Sequence, residues 1–365
     1  LPAVTAVVNN QCSASGNTFT ITATPSGTSL TPVTYGIAGP TGAFQTSPTF
    51  TVPAGTYTVY IKDKNGCVVA APAPTIVYPQ LTAGAVVTKT LDCSPTTPNA
   101  TITTTISGGR APFDYTITDS SSTVVASGTG ITGPTIIYSA AVASTYTIVI
   151  TDANGCQTTT SATVAPIANP TVTVASQVNV SCNTGNDGSV TLTGSGGSGG
   201  YTYSNNAISG FTSTATFGGL TAAGSPYTFY VRDNKECQNS VTVTITEPAN
   251  ALAASVTEVP FSCSATNATV SGSVTVNASA GTSPYTYSFN GGAFTNNNVL
   301  TLNDNGSDQP YTYAVQDAKG CTFPGNGTLF RLNRPTDLTF SNAAVTCTAT
   351  TTIVSVMATN GVGAL

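Results

Sequence analysis

Four segments of the chain alternate apolar and polar residues and then break at a polar turn. The first is Tyr57-Thr-Val-Tyr-Ile-Lys-Asp63-Lys-Asn-Gly66-Cys67. The second is Tyr146-Thr-Ile-Val-Ile-Thr-Asp152-Ala-Asn-Gly155-Cys156. The third is Tyr227-Thr-Phe-Tyr-Val-Arg-Asp233-Asn-Lys-Glu236-Cys237, and the fourth is Tyr311-Thr-Tyr-Ala-Val-Gln-Asp317-Ala-Lys-Gly320-Cys321. A period of two is that of a strand with one buried face. The Asp-x-Asn-Gly stretch predicts a hairpin turn, with Gly or Asn supplying a positive φ. Glu236 departs from that pattern, which predicts a different turn type in the third segment. A Thr/Val strand follows each turn and ends near proline, as in Val241-Thr-Val-Thr-Ile245-Thr-Glu-Pro248.

The cysteines set the period. They fall at 12, 67, 93, 156, 182, 237, 263, 321 and 347, and every second member precedes the next by 26 residues. The chain therefore reads as repeats at 1–80, 81–169, 170–249 and 250–335, with the first two strands of a fifth at 336–365. Those two strands are expected at Val345-Thr-Cys347 and Thr351-Thr-Ile-Val-Ser-Val356. Each first cysteine precedes a polar turn and a strand, then a Gly-rich bend and a Tyr-rich strand, such as Gly199-Gly-Tyr201-Thr-Tyr203. About seven short strands in 80–90 residues predict an all-β fold, a tandem array of immunoglobulin-like antiparallel β-sandwich repeats. The tyrosine opening each penultimate strand stands where such folds place a corner tyrosine.

The phrase Ser181-Cys182-Asn-Thr-Gly-Asn-Asp-Gly-Ser189, then Gly-Gly-Tyr201-Thr-Tyr-Ser204, the Asp233 hairpin and Val-Thr-Ile-Thr-Glu-Pro248 resembles the SprB repeat. That repeat is named for a gliding-motility adhesin of Bacteroidota and is related to PKD-like sandwiches. The third repeat is the nearest match, and the first departs most, at Val33-Thr-Tyr35-Gly-Ile37. The resemblance implies a large secreted protein of the bacterial cell surface. It leaves the role open, because such repeats serve as spacers in many surface proteins.

Two cysteines per module without His favour disulfides over zinc, which asks for CxxC pairs or Cys/His sets. Buried free thiols are the plainer alternative. Two pairings stay open. Pairing within a repeat joins Cys12–Cys67, Cys93–Cys156, Cys182–Cys237 and Cys263–Cys321. In a sandwich, however, the end of the first strand and the start of the last lie at opposite poles, roughly 15–20 Å apart, whereas a disulfide needs Cα atoms within about 7 Å. Pairing across junctions, Cys12–Cys156, Cys93–Cys237 and Cys182–Cys321, suits that geometry better. It would make the array a semi-rigid rod, with Cys67, Cys263 and Cys347 awaiting partners beyond these pairs.

Composition narrows the chemistry. There is no His and no Trp, charged residues are 6% against about 25% in ordinary domains, and the net charge is −5. No basic patch offers a nucleic-acid footprint, and no apolar run is long enough for a transmembrane helix. The start, Leu1-Pro2-Ala3-Val4, reads as a mature or cut terminus rather than a signal peptide. The usual Ser-His-Asp and Cys-His catalytic sets are excluded without His. Asp63, Asp152, Asp233 and Asp317 recur once per repeat and read as turn-closing side chains. Calcium is the sharper alternative for such acids. No Asp-x-Asp-x-Asp-Gly loop supports it, and Asp304 and Asp308 are the remaining weak candidates, so no cofactor is expected. Tyr60 and Tyr230 point outward by alternation and would suit a glycan. The expected partners are thus neighbouring repeats or copies of the same protein, with surface glycans second. The leading functional expectation is a non-catalytic stalk or filament segment of a surface adhesin. A glycan-binding array working by avidity and a fibre subunit completed by strand exchange are the alternatives.

Overall fold

The computed structural model describes residues 2–28, 30–266, 268–333, 335, 337–342 and 351–359. They form strands, turns and bends, with no helix among them and hence none able to cross a membrane. Two compact units arise. One takes residues 1–170 with Gly196–Gly200 and Arg232–Gln238, and the other takes Thr171–Ser195, Tyr201–Val231 and residues 239–365.

The second repeat, in the first unit, shows the plan most clearly. Its seven strands are Thr82–Lys89, Ala100–Ser107, Phe113–Thr118, Val124–Ile131, Thr135–Ala140, Ser144–Thr151 and Gln157–Val164. One sheet has the order fifth–second–first, and the other fourth–third–sixth–seventh. The alternation does what it predicts. Tyr146, Ile148 and Ile150 are buried, while Thr147, Val149 and Thr151 lie on the opposite, part-exposed face. Ile148 stands opposite Ile117 and Thr160 in the antiparallel ladder. These side chains and Phe113 of the same sheet meet Ile102 and Ile106 of the facing sheet to form one core. Burying each large aliphatic contributes about 1.5–3 kcal/mol.

The first repeat, in the same unit, has its own core around Phe19, Ile21, Val59 and Ile61. Its last two strands are each broken, into Gly55–Tyr57 with Tyr60–Lys62 and Val68–Ala70 with Thr75–Val77. Pro72 and Pro74 lie at the break and lack the N–H that a continuous ladder needs. The far half then pairs separately, Gly55–Tyr57 with Thr75–Val77. In the second unit, one core gathers around Val190, Phe229, Val231 and Ile245, and another around Val274, Val276, Tyr311 and Val315.

The expected fifth-repeat strand at Val345–Cys347 lies outside the described residues. The strands that pair are Asp337–Asn342 and Val354–Thr359, so the second begins three residues later than expected. Leu338, Phe340, Val354, Val356 and Ala358 share one face of this hairpin by its register. Phe340 is 68% exposed.

Each penultimate strand carries its tyrosine within its first three residues. The hydroxyls of Tyr57, Tyr146 and Tyr227 donate to the carbonyls of Pro53 (3.0 Å), Val142 (2.7 Å) and Thr221 (3.1 Å), all a few residues upstream. That is the tyrosine-corner arrangement. The fourth differs, because Tyr311 donates to the Glu258 carboxylate instead. Burial, then the hydrogen bond to Glu258 and its charge, hold its hydroxyl well above the usual tyrosine range.

Ile148 is fully buried, whereas Val149 is on the outer face. Ile148→Ala is expected to cost about 2–5 kcal/mol and Val149→Ala less than about 1 kcal/mol, read as protection of the 144–164 amides in native-state hydrogen exchange.

Candidate functional site

The recurring polar side chain of each repeat is the aspartate of its last hairpin. In the second repeat Asp152 Oδ1 accepts from the N–H groups of Asn154 (2.8 Å) and Cys156 (2.9 Å). Its Oδ2 accepts from Arg110 N–H at 2.9 Å, in the bend that follows the second strand. Asp233 does the same with Lys235, Cys237 and Ser198, and Asp317 with Lys319, Cys321 and Thr282. Asp63 holds Asn65 and Cys67 through Oδ1. All four are buried. Each carboxylate closes its own turn, and in the last three repeats it also ties the hairpin to the Gly-rich bend. Charge-assisted bonds of this kind are the strong ones. N–H donors aimed at the carboxylate are the wrong company for a cation, which asks for oxygens.

The bend needs glycine for two reasons. Gly109, Gly197 and Gly281 have φ of +68°, +57° and +65°, and a Cβ at Gly197 would stand 2.5 Å from Asp233 Oδ2. The positive-φ glycine of the bend is thus the counterpart of the aspartate 36–43 residues later. The third hairpin, expected to differ because of Glu236, does not. Glu236 takes φ +62° where the others have Gly66, Gly155 and Gly320, and it donates to Asp233 O at 3.0 Å as they do to theirs. The bonds to Asp233 hold a side-chain-bearing residue in a conformation that costs it about 1–2 kcal/mol.

Three disulfides join cysteines of successive repeats. Cys12 is bonded to Cys156 and Cys93 to Cys237, each with Cα atoms 4.8 Å apart, and Cys182 to Cys321 with 5.7 Å. The first two lie in the first unit and the third in the second unit. The within-repeat pairs Cys12–Cys67, Cys93–Cys156, Cys182–Cys237 and Cys263–Cys321 are not formed. The second repeat shows why. Ser107 pairs with Thr82 at the start of the first strand, so the bend and the Asp152 hairpin share that pole. Cys93 follows Lys89 at the other end of the eight-residue strand, roughly 25 Å away. Cys67 and Cys263 are exposed free thiols. Cys347 lies outside the described residues.

Around the disulfides the poles are anchored by side chains that no sequence pattern singled out. Gln11 grips the backbone of Tyr78 from both sides, donating to its O at 2.7 Å and accepting from its N at 3.1 Å. Arg110 stacks its guanidinium over the Tyr78 ring, 5.7 Å from the centroid. Cys93 N–H donates to Lys235 O at 2.8 Å beside the Cys93–Cys237 bond. In the second unit Asn183 and the Thr184 N–H bind Pro248 O and the Glu247 carboxylate, tying the Cys182 loop to the outgoing chain. The Gln11, Asn183 and Thr184 contacts span 63–67 positions, and isolated Gln, Asn and Glu carry no periodic signal.

The remaining candidates stay apart. Asp304 caps its own loop through Gly306 N–H, and Asp308 accepts from Arg331 N–H. No three Cys, Asp or Glu converge on a metal-sized site among the described residues. Tyr60 and Tyr230 are half-buried on the face opposite Ile61 and Phe229.

Burial pushes the Asp233 carboxyl up, but the N–H groups of Ser198, Lys235 and Cys237 outweigh it and hold the acid below its usual value of 3.8. A depressed carboxyl stabilises the fold above that value, and the gain is lost as pH falls through the lower, folded one. Chemical denaturation should therefore show this hairpin equally stable at pH 7 and 5 and weakening below about pH 4. Asp233→Asn turns an amide N–H₂ or a poorer acceptor toward three donors, and a loss of about 1–3 kcal/mol is expected at pH 7. Glu236→Gly should stabilise by about 1 kcal/mol, by relief of the positive φ.

Solved structures similar to this chain include three N-terminal domains of the bacteriophage RB49 outer capsid protein Hoc, at 14% identity over 68% of this chain and 100% of that one, with a TM-score of 0.30. A tetra-tandem repeat from the extending region of a large adhesion protein aligns at 16% identity over 90% and 99%, with a TM-score of 0.25. A BSP domain of a biofilm-associated protein aligns at 9% over 91% and 96%, with a TM-score of 0.23. No curated protein matches the chain. The SprB repeat model matches residues 174–208 and 256–294, each running from the first strand through the first cysteine to the Tyr-rich strand. The third and fourth repeats of this immunoglobulin-like array therefore each contain a segment that matches the SprB repeat.

Proposed function

We propose that this chain is a non-catalytic structural segment, a stalk or filament portion of a bacterial surface adhesin, secreted and working outside the cell. The observation that carries it is the pattern of disulfides, each joining the first cysteine of one repeat to the second cysteine of the next. Bonds placed between modules resist separation of modules, which is the demand on a stalk. They also belong in an oxidising compartment, as a cell-surface protein would have. In the second, third and fourth repeats the buried aspartate spends both carboxylate oxygens on backbone N–H groups. Repetition adds length with the same local contacts each time. The partners of such a segment are its neighbouring repeats and copies of itself.

One observation favours a second reading, assembly by strand complementation. The hairpin of Asp337–Asn342 and Val354–Thr359 carries an apolar face with Phe340 and Val356 exposed. Two strands cannot bury a core, so this face calls for strands from the same chain or from another copy.

A graft separates a spacer from a binder. Residues 1–335 are replaced, in the full-length surface protein, by an unrelated immunoglobulin-like array of four domains. Adhesion by the bacterium is expected to persist under a spacer. Loss of adhesion, together with glycan or host-surface binding by the isolated chain, would establish a binding array instead.

A further inference from the structure

The three disulfides overlap along the chain, and the overlap has a mechanical result that no single bond has. Cys12 is bonded to Cys156, and Cys182 to Cys321. Tension entering at Cys12 crosses to Cys156, follows the chain to Cys182 and crosses to Cys321. Only the 25 residues between Cys156 and Cys182 lie on that route. They comprise the last strand of the second repeat, Gln157–Val164, and the first of the third, Pro170–Val178. Everything from 13 to 155 and from 183 to 320 is off it. That includes Phe19 and Ile61 of the first core, Ile102 and Ile148 of the second, Phe229 of the third and Val274 of the fourth.

We infer that Cys12–Cys156, the 157–181 connection and Cys182–Cys321 form a covalent load path that takes in one edge strand each of the second and third sandwiches, bypasses the rest of the four cores and makes the array nearly inextensible. Fully stretched, the connection spans about 90 Å, whereas the chain from Cys12 to Cys321 without disulfides would span about 1,100 Å. Unfolding a sandwich therefore yields little length, and a core that opens under load is not pulled further apart. The third bond has a different task. Cys93–Cys237 brackets the connection, since 157–181 lies wholly between its two cysteines. The route through it, back from Cys156 to Cys93 and from Cys237 back to Cys182, is far longer than the direct one. It adds nothing to the stretched limit, and it holds the second and third repeats together while the connection is slack. The two kinds of bond follow from one pairing rule applied three times at a fixed 26-residue offset.

The inference rests on the stalk reading for its biological purpose but not for its physics. Single-molecule stretching of the oxidised 365-residue chain, held by handles at both ends, tests it. The intact chain should stop at about 300 Å, and at about 1,300 Å after reduction. Cys93→Ser with Cys237→Ser should leave the oxidised limit unchanged. Cys12→Ser with Cys156→Ser, or Cys182→Ser with Cys321→Ser, should each lengthen it by about 400 Å. The readout is a covalent length, so the intact chain alone can decide if a variant folds poorly. An oxidised limit near 470 Å, the length expected of within-repeat pairs, would overturn the load path. So would a lengthened Cys93/Cys237 variant. A binding outcome in the graft experiment alongside the lengths expected here would remove the stalk reading and leave the load path standing.

Discussion

A sandwich strand of eight or nine residues is roughly 25 Å long, and each repeat carries its two cysteines at opposite ends of one. That separation is several times what a disulfide can span. A cysteine at the trailing pole of one repeat therefore finds its partner at the leading pole of the next. Cys12–Cys156, Cys93–Cys237 and Cys182–Cys321 all follow from this. A shorter first strand would have permitted closure within each sandwich and left modules joined by a single thread of backbone.

The aspartate hairpin supplies the accuracy that such a bond requires. A disulfide forms only if its Cβ atoms meet within narrow limits, so the second cysteine must be presented by something rigid. The carboxylates of Asp152, Asp233 and Asp317 each bind the N–H of the following cysteine and that of the Gly-rich bend. An amide could not accept from three donors with both of its heavy atoms. The chain has few charges, and four of its acids are buried at the poles in this way. Uncharged faces rich in Thr cover the sheets, where hydroxyls such as Thr145 and Thr163 bond across strands at 3.0 Å.

The fold was legible because it is local. Alternation in Tyr146–Ile150, the Asp-x-Asn-Gly turn and the 26-residue spacing are short-range signals, and a period-two pattern admits one buried face. Where local signals misled, a longer-range contact had won. Glu236 reads as a different turn, yet the bonds that Asp233 makes to Lys235, Cys237 and Ser198 impose the same one. The first repeat reads as having continuous last strands, yet Pro72 and Pro74 split them between two sheets.

The sequence by itself determined the repeat, the strand faces, the turn aspartates and the presence of two cysteines per module. Each of these is a matter of neighbours along the chain. It narrowed the disulfide pairing only through an assumed topology, because spacing is equally regular under both schemes. Tertiary structure decided which cysteines meet, through the direction in which each strand runs between the poles. It also decided that Gln11 grips Tyr78 and that Asn183 grips Pro248. Contacts across more than sixty residues leave no periodic mark, since one side chain at one place satisfies them.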